Sequence, residues 1–156
     1  MKLRPLLDER LVIPRLEARD REGVLRELAS SLLARHPSEL GAGLVEKLLE
    51  RESKGTTGIG RGVAVPHCRM PGLGSPVIAL GLSKDGVAFD AADGKLSHVF
   101  FCLVSPEENP GAGLRILAGI AGLVRGSRGL AAKMLKGATP AEVLEIMRAE
   151  EEKARA

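Results

Sequence analysis

Apolar residues recur at helical spacing through the first third of the chain. After Asp20, a residue type that favours a helix start, the pattern continues to about Arg35, and Pro37 ends it. Ser38 is predicted to cap a second helix, which ends near Ser53. A short segment of uncertain type at residues 11–13 precedes both helices. The first third of the chain is therefore predicted to consist mainly of this segment and two helices.

The middle of the chain changes to short segments of strand character. Glycines are dense in residues 55–74, which predicts strand pieces joined by tight loops. Residues 77–82 form an apolar strand pattern, and Asp85-Gly86 is a strong turn signal after it. Residues 99–104 are apolar at every position, as in a central strand that helices cover on both faces.

Helical patterns return in the last third of the chain. Residues 113–124 and 127–135 are predicted helices, and the capping box Thr139-Pro140-Ala141-Glu142 opens a final one. The residues after position 148 are highly charged and are predicted to be a solvated helix end. Two helices, several strands and three more helices predict a layered α/β sandwich with a mixed sheet.

Composition narrows the function classes. The chain has 156 residues, of which 44% are apolar, so a single folded domain is expected and a disordered chain is excluded. A formal charge of +3 is weak, and with three Phe and no Trp or Tyr the chain lacks stacking platforms for single-stranded nucleic acid. The two Cys are far apart in sequence and form no disulfide framework. The sequence also has no signal-peptide pattern and no apolar run of membrane length, so we predict a cytoplasmic protein without membrane insertion.

Three histidines are the first candidates for chemistry. His36 lies at a predicted helix end, where a cationic side chain complements the helix dipole, and His98 opens the central strand; both are interpreted as structural. His67 follows Pro66, where a strand is predicted to leave the sheet, so it can be either structural or functional. Its neutral imidazole would offer a nucleophilic lone pair near pH 7.

Other interpretations of the same region are weaker. A Gly-x-Gly-x-Gly spacing at positions 58–62 suggests a dinucleotide loop, but the valines and Pro66 that follow do not permit an immediate helix. His67-Cys68 suggests metal ligation, yet adjacent residues rarely chelate one ion. Cys68 is a candidate redox thiol, with a small buried apolar role as the simpler alternative.

The region from position 51 to 67 resembles a known signature. It reads RESKGTTGIGRGVAVPH. It is similar to the phosphotransferase-system IIA domains of the mannitol/fructose type, and closest to the nitrogen-regulatory branch. A looser block at residues 89–94, an apolar strand, Pro106 and a Leu-rich helix follow in the family's order. The resemblance spans about residues 5–148 of a single domain at 1–156, with residues 149–156 as a charged tail.

The resemblance implies a fold and a chemistry. The fold is the three-layer αβα sandwich of mannitol-type IIA, and His67 is the phosphoryl acceptor from an HPr-like phosphohistidine carrier. Arg51 matches the family's active-site arginine, whose planar fork can hold two phosphoryl oxygens. No cofactor or metal ion is implied. Further candidate phosphate-binding groups are Thr56, Thr57, Gly58, Gly60, Gly62 and Gly113.

One position departs from the family's pattern. A second histidine, which contacts the phosphorylated one, is common where this chain has Gly113. His67 is still expected to accept a phosphoryl group, whereas onward transfer to a sugar permease is less favoured.

Three functions are compatible with these residues. The first is a regulatory phosphocarrier whose phosphorylation at His67 alters binding to target proteins. The second is a fructose- or mannitol-type IIA component that passes phosphate to a IIB permease subunit. The third is an interaction module of the same fold without phosphotransfer. The sequence contains no linked IIB or IIC stretch, which favours the first.

Overall fold

A six-stranded mixed sheet forms the centre of this computed structural model, which describes residues 1–155 and the side chains of residues 1–154. Its strands are β1 Val12–Ile13, β2 Gly58–Gly60, β3 Val63–Ala64, β4 His67–Met70, β5 Val77–Val87 and β6 Ser97–Pro106. The helices are α1 Arg21–Arg35, α2 Leu44–Ser53, α3 Pro110–Gly126, α4 Leu130–Met134 and α5 Pro140–Arg155. Two short 3-10 helices, Arg4–Leu6 and Glu9–Leu11, precede β1.

The sheet combines both kinds of strand pairing. Its order is β1-β5-β6-β3-β2, and β4 pairs with β6 beyond the end of β3. The long strands β5 and β6 are antiparallel, whereas β1 is parallel to β5, and β3 and β4 are parallel to β6. The mixed sheet predicted from the sequence is therefore confirmed.

Helices cover both faces of the sheet, because β6 sends alternate side chains to two separate cores. Phe100, Cys102 and Val104 are in a core with residues of α1 and α2. Val99, Phe101 and Leu103 are in a second core with residues of α3, α4 and α5. This arrangement confirms the predicted three-layer αβα sandwich and the central, doubly covered strand.

The strands β3 and β4 form one interrupted line along β6. Val63 is opposite Val99, and His67 is opposite Leu103, so the register is the same on both sides of the break at Val65-Pro66. Because alternation continues across the break, His67 shares a sheet face with Val63 and Val65, which pack in the core beneath α3. The edge strand β4 thus places the ring of His67 on the α3 side.

The prediction for α1 is confirmed, and the predicted start of α2 is wrong. The Asp20 carboxylate accepts a hydrogen bond from the N–H of Gly23 at 2.7 Å, as an N-cap does. The second helix begins at Leu44, not after Ser38, and the residue before it is Gly43 with φ of 98°. Residues 37–43 form turns instead, because Pro37 and two glycines interrupt helical continuity.

Three further features of the fold differ from the sequence patterns. The pair Asp85-Gly86 lies inside β5 and does not connect two strands; the register against β6 shifts between Leu82 and Val87, as at a β-bulge. The helix α3 begins at Pro110 and not at residue 113, since proline is favoured at the first helical position. The predicted helix at residues 127–135 is the shorter α4.

The end of α5 is packed at two of its acidic residues, whereas Glu152 and Lys153 are exposed, as predicted. Glu150 is 5% exposed and accepts hydrogen bonds from Ser127 Oγ at 2.7 Å and Lys133 Nζ at 2.8 Å. Glu151 is 7% exposed and accepts hydrogen bonds from the backbone N–H groups of Leu3 and Arg4. The prediction of a solvated charged tail is wrong at these two residues, because each carboxylate has a specific partner.

Among the helices of the described residues, none has both the length and the apolar character needed to cross a membrane.

Candidate functional site

The ring of His67 is oriented by a hydrogen bond to the backbone carbonyl of Val65, two residues earlier. His67 is the first residue of β4, and its Nδ1 lies 2.8 Å from the carbonyl oxygen of Val65. A carbonyl oxygen only accepts, so Nδ1 carries the proton and donates. The Nε2 atom is then the unprotonated nitrogen of the neutral ring, and its lone pair is available to an electrophile.

A cavity of about 400 Å³ opens beside this ring. It lies at the sheet edge, where α2 from one layer meets β4. Its lining combines four cationic side chains with two carboxylates. These residues are Lys47, Glu50, Arg51, Lys54, His67, Cys68, Arg69 and Glu107. The excess of cationic groups suits an anionic group such as a phosphoryl bound at the ring.

Arg51 is brought together with His67, as the resemblance implied. It lies in the last turn of α2 and lines the same cavity as His67. Its Nη1 donates to the carbonyl oxygen of Gly55 at 2.9 Å, which holds the guanidinium at the start of the next loop. A guanidinium has five N–H donors in a rigid fork, so others remain for a second ligand.

Burial keeps the ring of His67 neutral. Desolvation lowers its pKa below the ordinary value of 6.5, and the nearby positive charges of Arg51 and Arg69 lower it further. The hydrogen bond to Val65 and the negative charge of Glu52 act in the opposite direction but do not reverse the shift. A neutral imidazole near pH 7 is the form that can attack phosphorus.

The two threonines of the loop have structural partners. Thr56 Oγ1 donates to the carbonyl oxygen of Phe89 at 2.5 Å and accepts from the N–H of Gly58. Thr57 Oγ1 donates to the carboxylate of Glu52 at 2.5 Å. Each hydroxyl has one proton, so both are already used within the fold. A donor role toward phosphate stays a prediction that requires these side chains to change partners.

The three glycines after Thr57 have packing and conformational reasons of their own. A Cβ atom on Gly58 would lie 3.0 Å from the Cα of Ala91. Gly60 and Gly62 have φ of 91° and 78°, in the left-handed region that favours glycine. Of the described residues, those that line the cavity at His67 include none of these three. Their predicted phosphate contacts are therefore not brought together with the ring in this structure.

Gly113 is also placed apart from the cavity lining. It is the fourth residue of α3, is buried, and packs against Ser105 of β6. Ser105 shares a sheet face with Leu103, the residue opposite His67, so Gly113 lies over the neighbouring row of the same face. Its predicted role as an anion-binding group stays a prediction.

Several residues at the cavity escaped the sequence analysis. Lys47 and Lys54 were missed, although with Arg51 they have the i, i+4, i+7 spacing that places all three on one face of a helix. Arg69 is two residues after His67 in a strand, a spacing that places both on one face. These spacings could have identified the cationic cavity. Glu107, which follows β6 directly, had no such signal because its position depends on the sheet pairing.

The two cysteines are buried and unreactive in character. Burial raises the pKa of the Cys68 thiol to about 12, and that of Cys102 is also raised. Both are free and buried in the core beneath α1 and α2, where they act as small apolar side chains. The described side chains contain no group of three or more His, Cys, Asp or Glu residues that could hold a metal ion.

The chain is similar to known proteins in family, sequence and structure. The family model "Phosphoenolpyruvate-dependent sugar phosphotransferase system, EIIA 2" matches residues 5–150. The nitrogen regulatory protein of Pseudomonas aeruginosa is 38% identical over 122 residues, which are 78% of this chain and 77% of that protein. The crystal structure of nitrogen regulatory protein IIA-Ntr from Neisseria meningitidis has a TM-score of 0.83 and 29% identity, and covers 93% of this chain and 98% of that one.

A sugar-specific component is similar as well. The fructose-specific EIIABC component of Bacillus subtilis is 34% identical over 107 residues, which are 69% of this chain. The match spans only 17% of that longer protein. Together these similarities confirm the resemblance drawn from residues 51–67 and the fold it implied.

Proposed function

This chain belongs to the type-2 EIIA family of the phosphoenolpyruvate-dependent sugar phosphotransferase system, and from that premise we propose that it is a regulatory phosphocarrier phosphorylated at His67. The observation that supports the proposal most is the bond from His67 Nδ1 to the Val65 carbonyl. It leaves Nε2 as the nucleophile beside a cavity rich in cationic groups.

The proposed reaction exchanges one phosphorus–nitrogen bond for another. The Nε2 lone pair of His67 attacks the phosphorus of a phosphohistidine on an HPr-like carrier. The carrier's nitrogen–phosphorus bond breaks, and its electron pair returns to the carrier's ring, which carries a proton on its other nitrogen and therefore leaves as a neutral imidazole. The proton on Nδ1 of His67 stays in its hydrogen bond to the Val65 carbonyl oxygen, so His67 loses no proton in the transfer step. Because the bond that breaks and the bond that forms are both phosphorus–nitrogen bonds, the exchange needs no further source of energy.

Arg51 and its neighbours stabilise the transferring group. In such reactions charge spreads over three equatorial oxygens, and the protein contributes position and neutralisation. Arg51 can bind two of these oxygens through its fork, and the cations Lys47 and Arg69 supply further positive charge at the same cavity. This assigns Arg51 the role of stabilising the phosphoryl oxygens.

Phosphorylation would change the surface that partners meet. A phosphoryl group adds about 1.5 to 2 negative charges near pH 7. At His67 this charge would enter a cavity in which four cationic residues outnumber two carboxylates. A target protein that recognises one charge state of this surface would lose affinity for the other. The likeness to nitrogen regulatory proteins supports such a regulatory role. With two buried free thiols, we expect a cytoplasmic location.

Sugar transport is the second candidate, because the chain is also similar to a fructose-specific EIIABC component. In that role the phosphoryl group would pass from His67 to a IIB subunit. Mixing the phosphorylated protein with a fructose-type IIB domain separates the two functions. Rapid loss of phosphate to the IIB domain supports transport, and retention supports regulation.

Intact-mass measurement tests the proposal itself. The protein is incubated with phosphoenolpyruvate, enzyme I and an HPr-type carrier. We expect one added phosphate, labile to acid and to hydroxylamine, on the wild type and on the matched variant His36→Ala. We expect none on His67→Ala. An unlabelled wild type, or equal labelling of His67→Ala, would reject the proposal.

A further inference from the structure

A buried carboxylate follows Arg51 directly on α2, beside the residues that line the cavity at His67. Glu52, in the last turn of α2, is only 5% exposed. Its two carboxylate oxygens accept hydrogen bonds from the backbone N–H of Thr57 at 2.8 Å and from the Thr57 hydroxyl at 2.5 Å. A buried carboxylate is costly unless it is hydrogen-bonded, so this one is committed to a single residue of the loop.

Thr57 connects this carboxylate to the ring. Its carbonyl oxygen accepts a hydrogen bond from the N–H of Val65 at 2.9 Å. The carbonyl oxygen of Val65 in turn accepts from His67 Nδ1 at 2.8 Å. Glu52, Thr57, Val65 and His67 are therefore joined by consecutive hydrogen bonds, and we call this series the Glu52 relay.

The Glu52 relay lies at the break between β3 and β4. Val65 lies between the two strands, and its N–H donates to the carbonyl oxygen of Thr57, the residue before β2, so this bond extends the antiparallel pairing of β2 with β3. Pro66 follows and fixes its own φ, so the orientation of the Val65 peptide depends on the loop that Thr57 belongs to. The carbonyl group of Val65 is the hydrogen-bond acceptor of His67 Nδ1, so its direction bears on the orientation and the tautomer of the ring.

We propose that Glu52 is a positioning residue for phosphoryl transfer, holding Thr57 so that Val65 keeps the His67 ring in its Nδ1–H tautomer with Nε2 as the nucleophile. This inference rests on the proposed function for the meaning of Nε2. The relay itself is a property of the unphosphorylated protein and can be measured without any transfer.

Position must be distinguished from charge, because the carboxylate also raises the pKa of His67. The other charges that act on the ring are Arg51, on the same helix, and Arg69, on the same strand. The remaining charged groups around the cavity are Lys47, Glu50, Lys54 and Glu107. A test of the relay therefore needs one variant that removes charge but keeps reach, and one that keeps charge but loses reach.

Glu52→Gln and Glu52→Asp meet these two requirements. The glutamine oxygen can still accept from the Thr57 N–H while its amide donates to the Thr57 hydroxyl oxygen. Aspartate keeps the negative charge but is one methylene shorter. Glu46→Gln and Glu46→Asp are matched controls on an exposed position of the same helix. Two readouts are taken: the His67 tautomer from two-bond ¹H–¹⁵N spectra, and the rate of labelling by the carrier.

The relay predicts opposite results for the two variants. Wild type, both controls and Glu52→Gln should show the Nδ1–H tautomer and label at similar rates, with the pKa of His67 lowered in Glu52→Gln. Glu52→Asp should show a mixed tautomer and label about 10- to 100-fold more slowly, as misplacement of a reacting group does.

The inference is overturned by a Glu52→Asp ring spectrum identical to wild type, by a mixed tautomer in Glu52→Gln, or by an Nε2–H tautomer in the wild type. If Glu52→Asp does not fold, the spectra of the wild type and Glu52→Gln still decide. If the wild type is never labelled, the proposed function fails, while the ring spectra continue to test the relay.

Discussion

A Cβ atom on Gly113 would lie 2.7 Å from the Oγ and 3.0 Å from the Cβ of Ser105. The first turns of α3 therefore approach β6 so closely that glycine is the residue that fits. This contact lies beside the row of the sheet that carries His67. The family's common second histidine could not occupy position 113 here unless Ser105 were displaced.

Gly113→Ala should destabilise the fold. Alanine is the better helix former by about 1 kcal/mol, but overpacking against Ser105 costs about 1–3 kcal/mol. We expect a net loss of about 1 kcal/mol in the free energy of unfolding, measured by urea denaturation. Gly122→Ala is the matched control in the same helix, because its added Cβ would meet no atom within 4 Å, and it should stabilise the protein. Equal stabilisation by both substitutions would contradict the close contact.

The second histidine can be tested once space is made for it. In a Ser105→Gly background, Gly113→His should increase the labelling rate by at least about tenfold, since one preorganised donor is typically worth about 10²–10³. The comparison is with Ser105→Gly alone and the same carrier. An unchanged rate would show that position 113 is not where a second histidine acts in this chain.

Arg51→Ala should slow labelling by about 10³-fold, the lower end of what arginine contributes to phosphoryl transfer. Arg51→Lys should recover only part of the rate, because a lysine has no planar fork. The fold should survive, since a cation at a helix end contributes less than about 1 kcal/mol. Arg26→Ala, which removes an arginine bonded to Glu22 on the exposed side of α1, is the control and should label normally. A normal rate in Arg51→Ala would remove Arg51 from the mechanism.

The ring of His67 should titrate below pH 6.5, because burial lowers its pKa. With the folded pKa below the unfolded one, the unfolded chain binds more protons, and stability is lost as pH falls from about 6.5 through the folded value. An NMR titration should give a midpoint below 6.5 in the folded protein and about 6.5 in the urea-unfolded chain. A folded midpoint at or above the unfolded one would contradict the burial of the ring.

Local signals predicted most of the layers and failed where tertiary pairing decides. The β6 strand was predictable because its residues are apolar on both faces, and α1 because Asp20 caps it. The start of α2 was not, since Gly43 begins it in a left-handed conformation without a side-chain cap. The bulge at Asp85-Gly86 has the residues of a turn, and only pairing with β6 makes it part of a strand.

The sequence also predicted the main residues of the candidate site but not the partners of all of them. The motif around His67 identified the ring and Arg51 as neighbours, and the structure places both at one cavity. Glycines and threonines of the motif were predicted as phosphate donors, whereas the structure shows that the threonine protons bond to Phe89 and Glu52. A sequence motif records which residues are required but not whether each serves the ligand or the loop. The single-domain organisation over residues 1–156 stays a prediction.

The most direct test is to locate the phosphoryl group on the phosphorylated protein by ¹H–¹⁵N–³¹P spectroscopy. Because Nδ1 of His67 donates to the Val65 carbonyl, the account predicts phosphorus on Nε2 of His67, with the proton still on Nδ1. Phosphorus on Nδ1, on another residue, or on none after incubation with phosphoenolpyruvate, enzyme I and carrier would contradict it.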